Sequence, residues 1–301
     1  MCRDSANAPT NAAFYRIAAE DKTSQNNVQR AKLVTKALSQ HLAQKNADWI
    51  AFIRENGISV KEFSERAGLG YHAAWKQLHR GSLQIPMLRL YDFTAWLMTL
   101  APADAWSKNA PWSLHSIWFG AAYDGKAPLL LNLFFNCLKE LSDAQLEQIE
   151  PMVSHLSGKL PRGSTAELFL DRFCSLRLDY CSDFYNKHFL QFVITQAKRK
   201  LADCMDQALS PAEREELLAT LDMRDAMALS WAMDVPLDYF CSTDYLPPLL
   251  GTMNFWSEDG VCAPLSAEEQ ARFQTLLSAF ARCKRREQEE LLSHALELIA
   301  T

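Results

Sequence analysis

Several signatures are missing from this 301-residue sequence, and each absence removes a class of protein. No run of eighteen apolar residues occurs, so no conventional membrane-spanning helix is expected. Met1–Thr10 is polar and lacks the apolar core of a secretory signal, which makes the cytoplasm the expected location. None of the eight cysteines forms a Cys-x-x-Cys pair or sits with histidine at zinc-finger spacing. They read instead as small buried residues of a reducing compartment, with Cys174 and Cys181 as the one pair close enough to weigh as a redox couple. No Gly-rich phosphate loop, Gly-x-Ser-x-Gly elbow or His-Glu-x-x-His motif is present, and the seven histidines are scattered. No catalytic residue, metal ligand or cofactor is therefore assigned, and an enzyme is not expected. No strand ladder of alternating apolar residues is found either, and the fold class expected is all-α.

What is present argues for folded helical domains. Hydrophobic residues make up 49% and aromatics 11% of the chain, enough for substantial cores. The net charge of −5 is unevenly spread. Residues 1–160 carry 17 Lys+Arg against 14 Asp+Glu, or +3, and the remainder carries 14 against 22, or −8. A mildly basic first half suits a nucleic-acid partner, and an acidic second half does not.

The most informative stretch is Ile58–Gly81. Ser59 and Glu62 form a capping-box pattern that starts a helix, Phe63 and Ala67 share one face of it, and Gly68 is placed to end it. A second amphipathic stretch, Tyr71–His79, begins at once. Two short helices joined by a Gly-containing turn predict a helix-turn-helix. Ala47–Asn56, with Trp49, Ile50, Phe52 and Ile53, supplies a preceding helix. Pro86–Leu100, with Leu90, Phe93, Trp96, Leu97 and Leu100 at helical spacing, supplies a following one.

Over residues 47–106 this pattern resembles the Cro/CI-type (XRE-like) regulators, on Ile58, Ser59, Phe63-Ser64, Gly68 and Leu69. Val60 stands where the family commonly has a phosphate-holding Gln, and Ser64 where it has a small Ala. The resemblance implies a lambda-repressor-like bundle and sequence-specific binding of double-stranded DNA, with a homodimer as a further partner. In such a module the second helix lies in the major groove and its N-terminal residues meet base edges. That nominates Tyr71, His72, Ala73 and Lys76 as readers. Lys61, Arg66, His79 and Arg80 are nominated for phosphate. Trp75 and Leu78 are read as core. The other reading is a protein-interaction module, such as an antirepressor, antitoxin or adaptor, that kept the fold without DNA binding.

The chain also repeats itself. Met87–Met98 resembles Asp222–Met233, with Arg89 matched to Arg224, Trp96 to Trp231 and Met98 to Met233. Trp118-Phe119 and Asp124-Gly125 have counterparts in Phe255-Trp256 and Asp259-Gly260. Each half then enters an amphipathic helix with an aromatic and a Cys, Phe135 with Cys137 in the first and Phe280 with Cys283 in the second, and ends in another helix, Ser142–Leu156 and Glu287–Ala300. The domain reading is an N-terminal helical arm at 1–45, breakable at Asn26-Asn27, a helix-turn-helix domain with helical tail at 46–160, and a degenerate repeat at 161–301. Thr195, Gln196, Lys198, Arg199 and Lys200 fall in the matching helix of the second copy, which lacks the turn glycines. The basic run at Arg282 and Lys284–Arg286 is followed by Glu287, Glu289 and Glu290 and reads as helix salt bridges.

Overall fold

A computed structural model describes residues 24–100, 112–120, 123, 125, 127–158, 166–179, 209–232, 235–249 and 266–301. Among them the chain is all-α, with one isolated bridge and no strand. No helix of these residues is long and apolar enough to cross a membrane. The second-copy residues 195, 196 and 198–200, like Asp124, Asp259 and Cys181, lie outside the described set.

Helix α1 (Ser24–Glu55) is continuous through Asn26-Asn27 and through residue 45, so the expected arm and the first helix of the bundle are one element. Its buried Trp49, Ile50 and Ile53 face the first core. Gly57, at φ 67°, reverses the chain, and Ser59 then caps α2 (Val60–Ala67) by accepting from the Glu62 N–H. Helix α3 (Tyr71–Arg80) follows after Gly68-Leu69-Gly70 and ends at Gly81. A 3₁₀ turn (Met87–Arg89) leads into α4 (Leu90–Leu100), and α5 (Leu114–Phe119) follows. Trp118 sits at the centre of these elements. It is fully buried, packs on Trp49, donates its indole N–H to Thr94 Oγ1 at 2.9 Å, and accepts at its carbonyl from His41 Nε2 at 2.8 Å.

The tail of the first half is α6 (Leu129–Glu140) and α7 (Asp143–Ser157). The second half supplies α8 (Ala166–Asp179), α9 (Pro211–Ala219), α10 (Met223–Ala232), α11 (Leu237–Cys241), a 3₁₀ turn (Pro247–Leu249), α12 (Ala267–Arg282) and α13 (Arg285–Ile299). Capping boxes at Ser210/Glu213 and Ser266/Glu269 start α9 and α12.

The halves meet through reciprocal contacts. Met87 N–H donates to Leu221 O and Met223 N–H donates to Ile85 O, both at 2.8 Å, around an antiparallel bridge between Pro86 and Asp222. Met87 thus pairs with Leu221 and Met223 with Ile85, so Met87 and Met223 hold equivalent positions beside the bridge, one residue out of step with the sequence register that set Met87 beside Asp222. A second exchange joins α5 and α11. The fully buried Asp238 carboxylate accepts from the N–H groups of Leu114 (2.7 Å) and His115 (2.9 Å), capping α5. His115 Nδ1 accepts from the Leu237 N–H at the start of α11. The tails interlock: α6 packs on α12 and α13, and α7 packs on the same two helices. Phe134 of α6 and Phe280 of α12, both fully buried, stack face to face with ring centroids 4.1 Å apart. Arg272 of α12 bridges Asp143 and Glu150 of α7.

Arg172 of α8 closes the second half. Its buried guanidinium donates to the carbonyls of Tyr239, Ser242, Thr243 and Ala281 and lies over the rings of Tyr239 and Tyr245. Three residues of the basic run near the C-terminus are paired, one of them within its own helix. Arg285 pairs with Glu289 four residues on, Lys284 with Glu167, and Arg282 with Asp244.

Candidate nucleic-acid interface

The turn between α2 and α3 is set by two residues. Gly68 adopts φ 65°, a conformation that costs an L side chain about 1–2 kcal/mol. Ser64 then ties the turn, its hydroxyl donating to Leu69 O at 2.6 Å while its carbonyl accepts from the Leu69 N–H at 2.9 Å. The Ser64 hydroxyl therefore has a structural task here. Phe63 and Ala67 are buried as the spacing predicts, with Phe63 edge-on to Phe93 of α4. Arg54 of α1 donates to Leu78 O at 2.6 Å and steadies the last turn of α3.

Helix α3 buries only Ala74 and Leu78. Gln77 is occupied with Gln84, exchanging two hydrogen bonds at 2.8 and 3.2 Å. Tyr71, His72, Ala73, Trp75, Lys76, His79 and Arg80 are all exposed. Residues four apart stack along one side of a helix, so these fall into two parallel rows. Tyr71, Trp75 and His79 make an aromatic row, and His72, Lys76 and Arg80 make a basic one. No acidic residue lies on α3, and neither Lys76 nor Arg80 has an acidic partner within salt-bridge distance among the described residues.

Trp75, expected in the core, is instead 44% exposed, beside Tyr71 at 56%. Its indole stacks on the His79 ring with centroids 4.1 Å apart. His79 Nδ1 lies 2.9 Å from Trp75 O. A carbonyl only accepts, so Nδ1 is the donor in this bond.

On α2, Lys61 and Arg66 are exposed beside an open groove shared with Ser59, Glu62 and Glu65. The Arg66 guanidinium lies 5.7 Å from the centroid of Trp96, so part of its charge rests on that ring. One cation escaped the sequence reading. Arg89, on the 3₁₀ turn, is exposed and passes so close to Gly68 that an added Cβ would meet its Cγ at 3.1 Å. It adds a positive charge beside the turn. The sequence placed it in the repeat but gave no sign that it would reach the turn.

Comparison with family models, with curated proteins and with solved structures finds no match to this chain.

Proposed function

We propose that the chain is a DNA-binding transcriptional regulator of Cro/CI type that engages duplex DNA through α3. The observation that carries this reading is the exposed face of α3, which holds two unpaired cations, two histidines and no acid. Such a face suits a polyanion whose base edges lie between two rows of phosphate. Lys76, near the middle of the helix, fits a guanine O6/N7 reader. Arg80, Lys61 and Arg89 flank it as phosphate contacts.

In this reading the second half is a related copy that acts as an internal partner. In each half a helix directly precedes the bridging segment, α3 in the first and α9 in the second. Helix α9 carries Glu213, Glu215 and Glu216 against Arg214, and its three glutamates are exposed. That surface repels phosphate; residues 198–200, which the sequence matched to α3, lie outside the described residues, and this reading gives each chain one reading helix.

A protein-interaction module of the same shape is the alternative, favoured by the exposed Tyr71 and Trp75. A gel shift with fragmented genomic DNA at low salt separates the two. Retarded fragments whose retention is lost in the Lys76→Ala/Arg80→Ala double variant support the regulator. No retardation at any salt concentration overturns it.

A further inference from the structure

The aromatic row of α3 is not explained by phosphate binding. Tyr71, Trp75 and His79 occupy about 12 Å of helix at 1.5 Å per residue, a length matching three to four base steps at about 3.4 Å each. Trp75 is held rather than left to swing. One face of its indole is covered by His79, and His79 is fixed by the bond from Nδ1 to Trp75 O. A large apolar ring kept rigid and 44% exposed on a basic helix needs an apolar partner when that helix is covered.

The floor of the major groove offers one apolar group, the C5-methyl of thymine, among donors and acceptors. We propose that Trp75, backed by His79, is the specificity-determining residue of the interface, and that it selects sites presenting a thymine methyl opposite the middle of α3. The proposal rests on the duplex-binding reading above. The basic row at His72, Lys76 and Arg80 sets the register against phosphate and guanine, and the aromatic row beside it reads the methyl.

The test removes the methyl without changing base pairing. The tightest-binding duplex fragment is titrated with each thymine replaced in turn by uracil, against the full chain and its Trp75→Ala and Trp75→Phe variants. At one or two positions the wild-type chain should lose affinity roughly fourfold per methyl removed. Trp75→Ala should bind thymine and uracil duplexes alike, and Trp75→Phe should keep part of the difference. Circular dichroism and Tm of both variants should match the wild type, since the side chain lies outside the core. Equal wild-type binding of thymine and uracil duplexes at every position overturns this proposal and leaves the duplex-binding reading standing. Tighter binding of single strands than of duplex, lost in Trp75→Ala, would also overturn it, by assigning the row to base stacking. Absence of any duplex binding overturns both.

Discussion

Asp238 and His115 lie in the buried contact between α5 and α11, and their burial acts in opposite directions on stability. Desolvation pushes the Asp238 carboxyl up to about 6, against the two N–H groups that favour its charged form. Desolvation pushes the His115 ring down to about 3, so it stays neutral and can accept from Leu237. A raised Asp238 contributes stability that is present below its unfolded value near 3.8 and is lost as pH rises through about 6. A lowered His115 contributes stability that is present above 6.5 and is lost as pH falls towards 3. Between about pH 6 and 4 the two slopes offset each other. Relative to wild type, Asp238→Asn should therefore lose stability as pH falls from 6.5 to 4, and His115→Gln should gain it over the same window. Urea unfolding at a series of pH values reads both slopes, and identical slopes in the two variants would refute the assignment. Burial also acts on the thiols: Cys283 is pushed up to about 12, and Cys137 and Cys241 are raised, so these cysteines are inert as the sequence suggested.

At the scale of elements, the α2–α3 unit depends on Gly68. Gly68→Ala forces an L residue into φ 65° and brings its Cβ to 3.1 Å from Arg89 Cγ. The expected loss is about 1–2 kcal/mol in a denaturant titration. A variant as stable as wild type would mean that α3 is not held by this turn. The elements themselves were largely legible in the chain. Ser59, Ser210 and Ser266 announce helix starts through local hydrogen bonding, and Gly68 and Gly81 announce stops, because caps are decided within four residues. Trp75 was not legible. Both the row 74/78 and the row 71/75/79 have helical spacing, and spacing alone does not say which faces the core. The small Ala74 and Leu78 fill the space beneath the helix, and the larger ring is left outside. The continuity of α1 was also hidden, since two asparagines weaken a helix without ending it.

At the scale of the whole molecule, the helical tails of the two halves are interleaved. The principal packing partners of α6 and α7 are α12 and α13 of the other half. The reciprocal bonds at Met87/Met223 and at Leu114/Leu237 did not follow from sequence, because they arise only when distant segments are brought together. The contacts that join the halves leave the outer face of α3 exposed. A single chain should accordingly protect one half-site in footprinting, and a two-fold operator should recruit two chains as judged by sedimentation. One chain protecting two symmetric half-sites would mean that the second half also reads DNA.

The central claim is that α3 is the surface that meets DNA. The most direct measurement is the salt dependence of duplex affinity for the wild-type chain, Lys76→Ala and Arg80→Ala, read by fluorescence anisotropy. Arg80→Ala should weaken all sequences alike and reduce the slope of log affinity against log salt by about 1. Lys76→Ala should cost about 1–3 kcal/mol on the preferred site and less on others, narrowing the preference between sequences. Wild-type affinity, slope and preference in both variants would contradict the account and move the interface off α3.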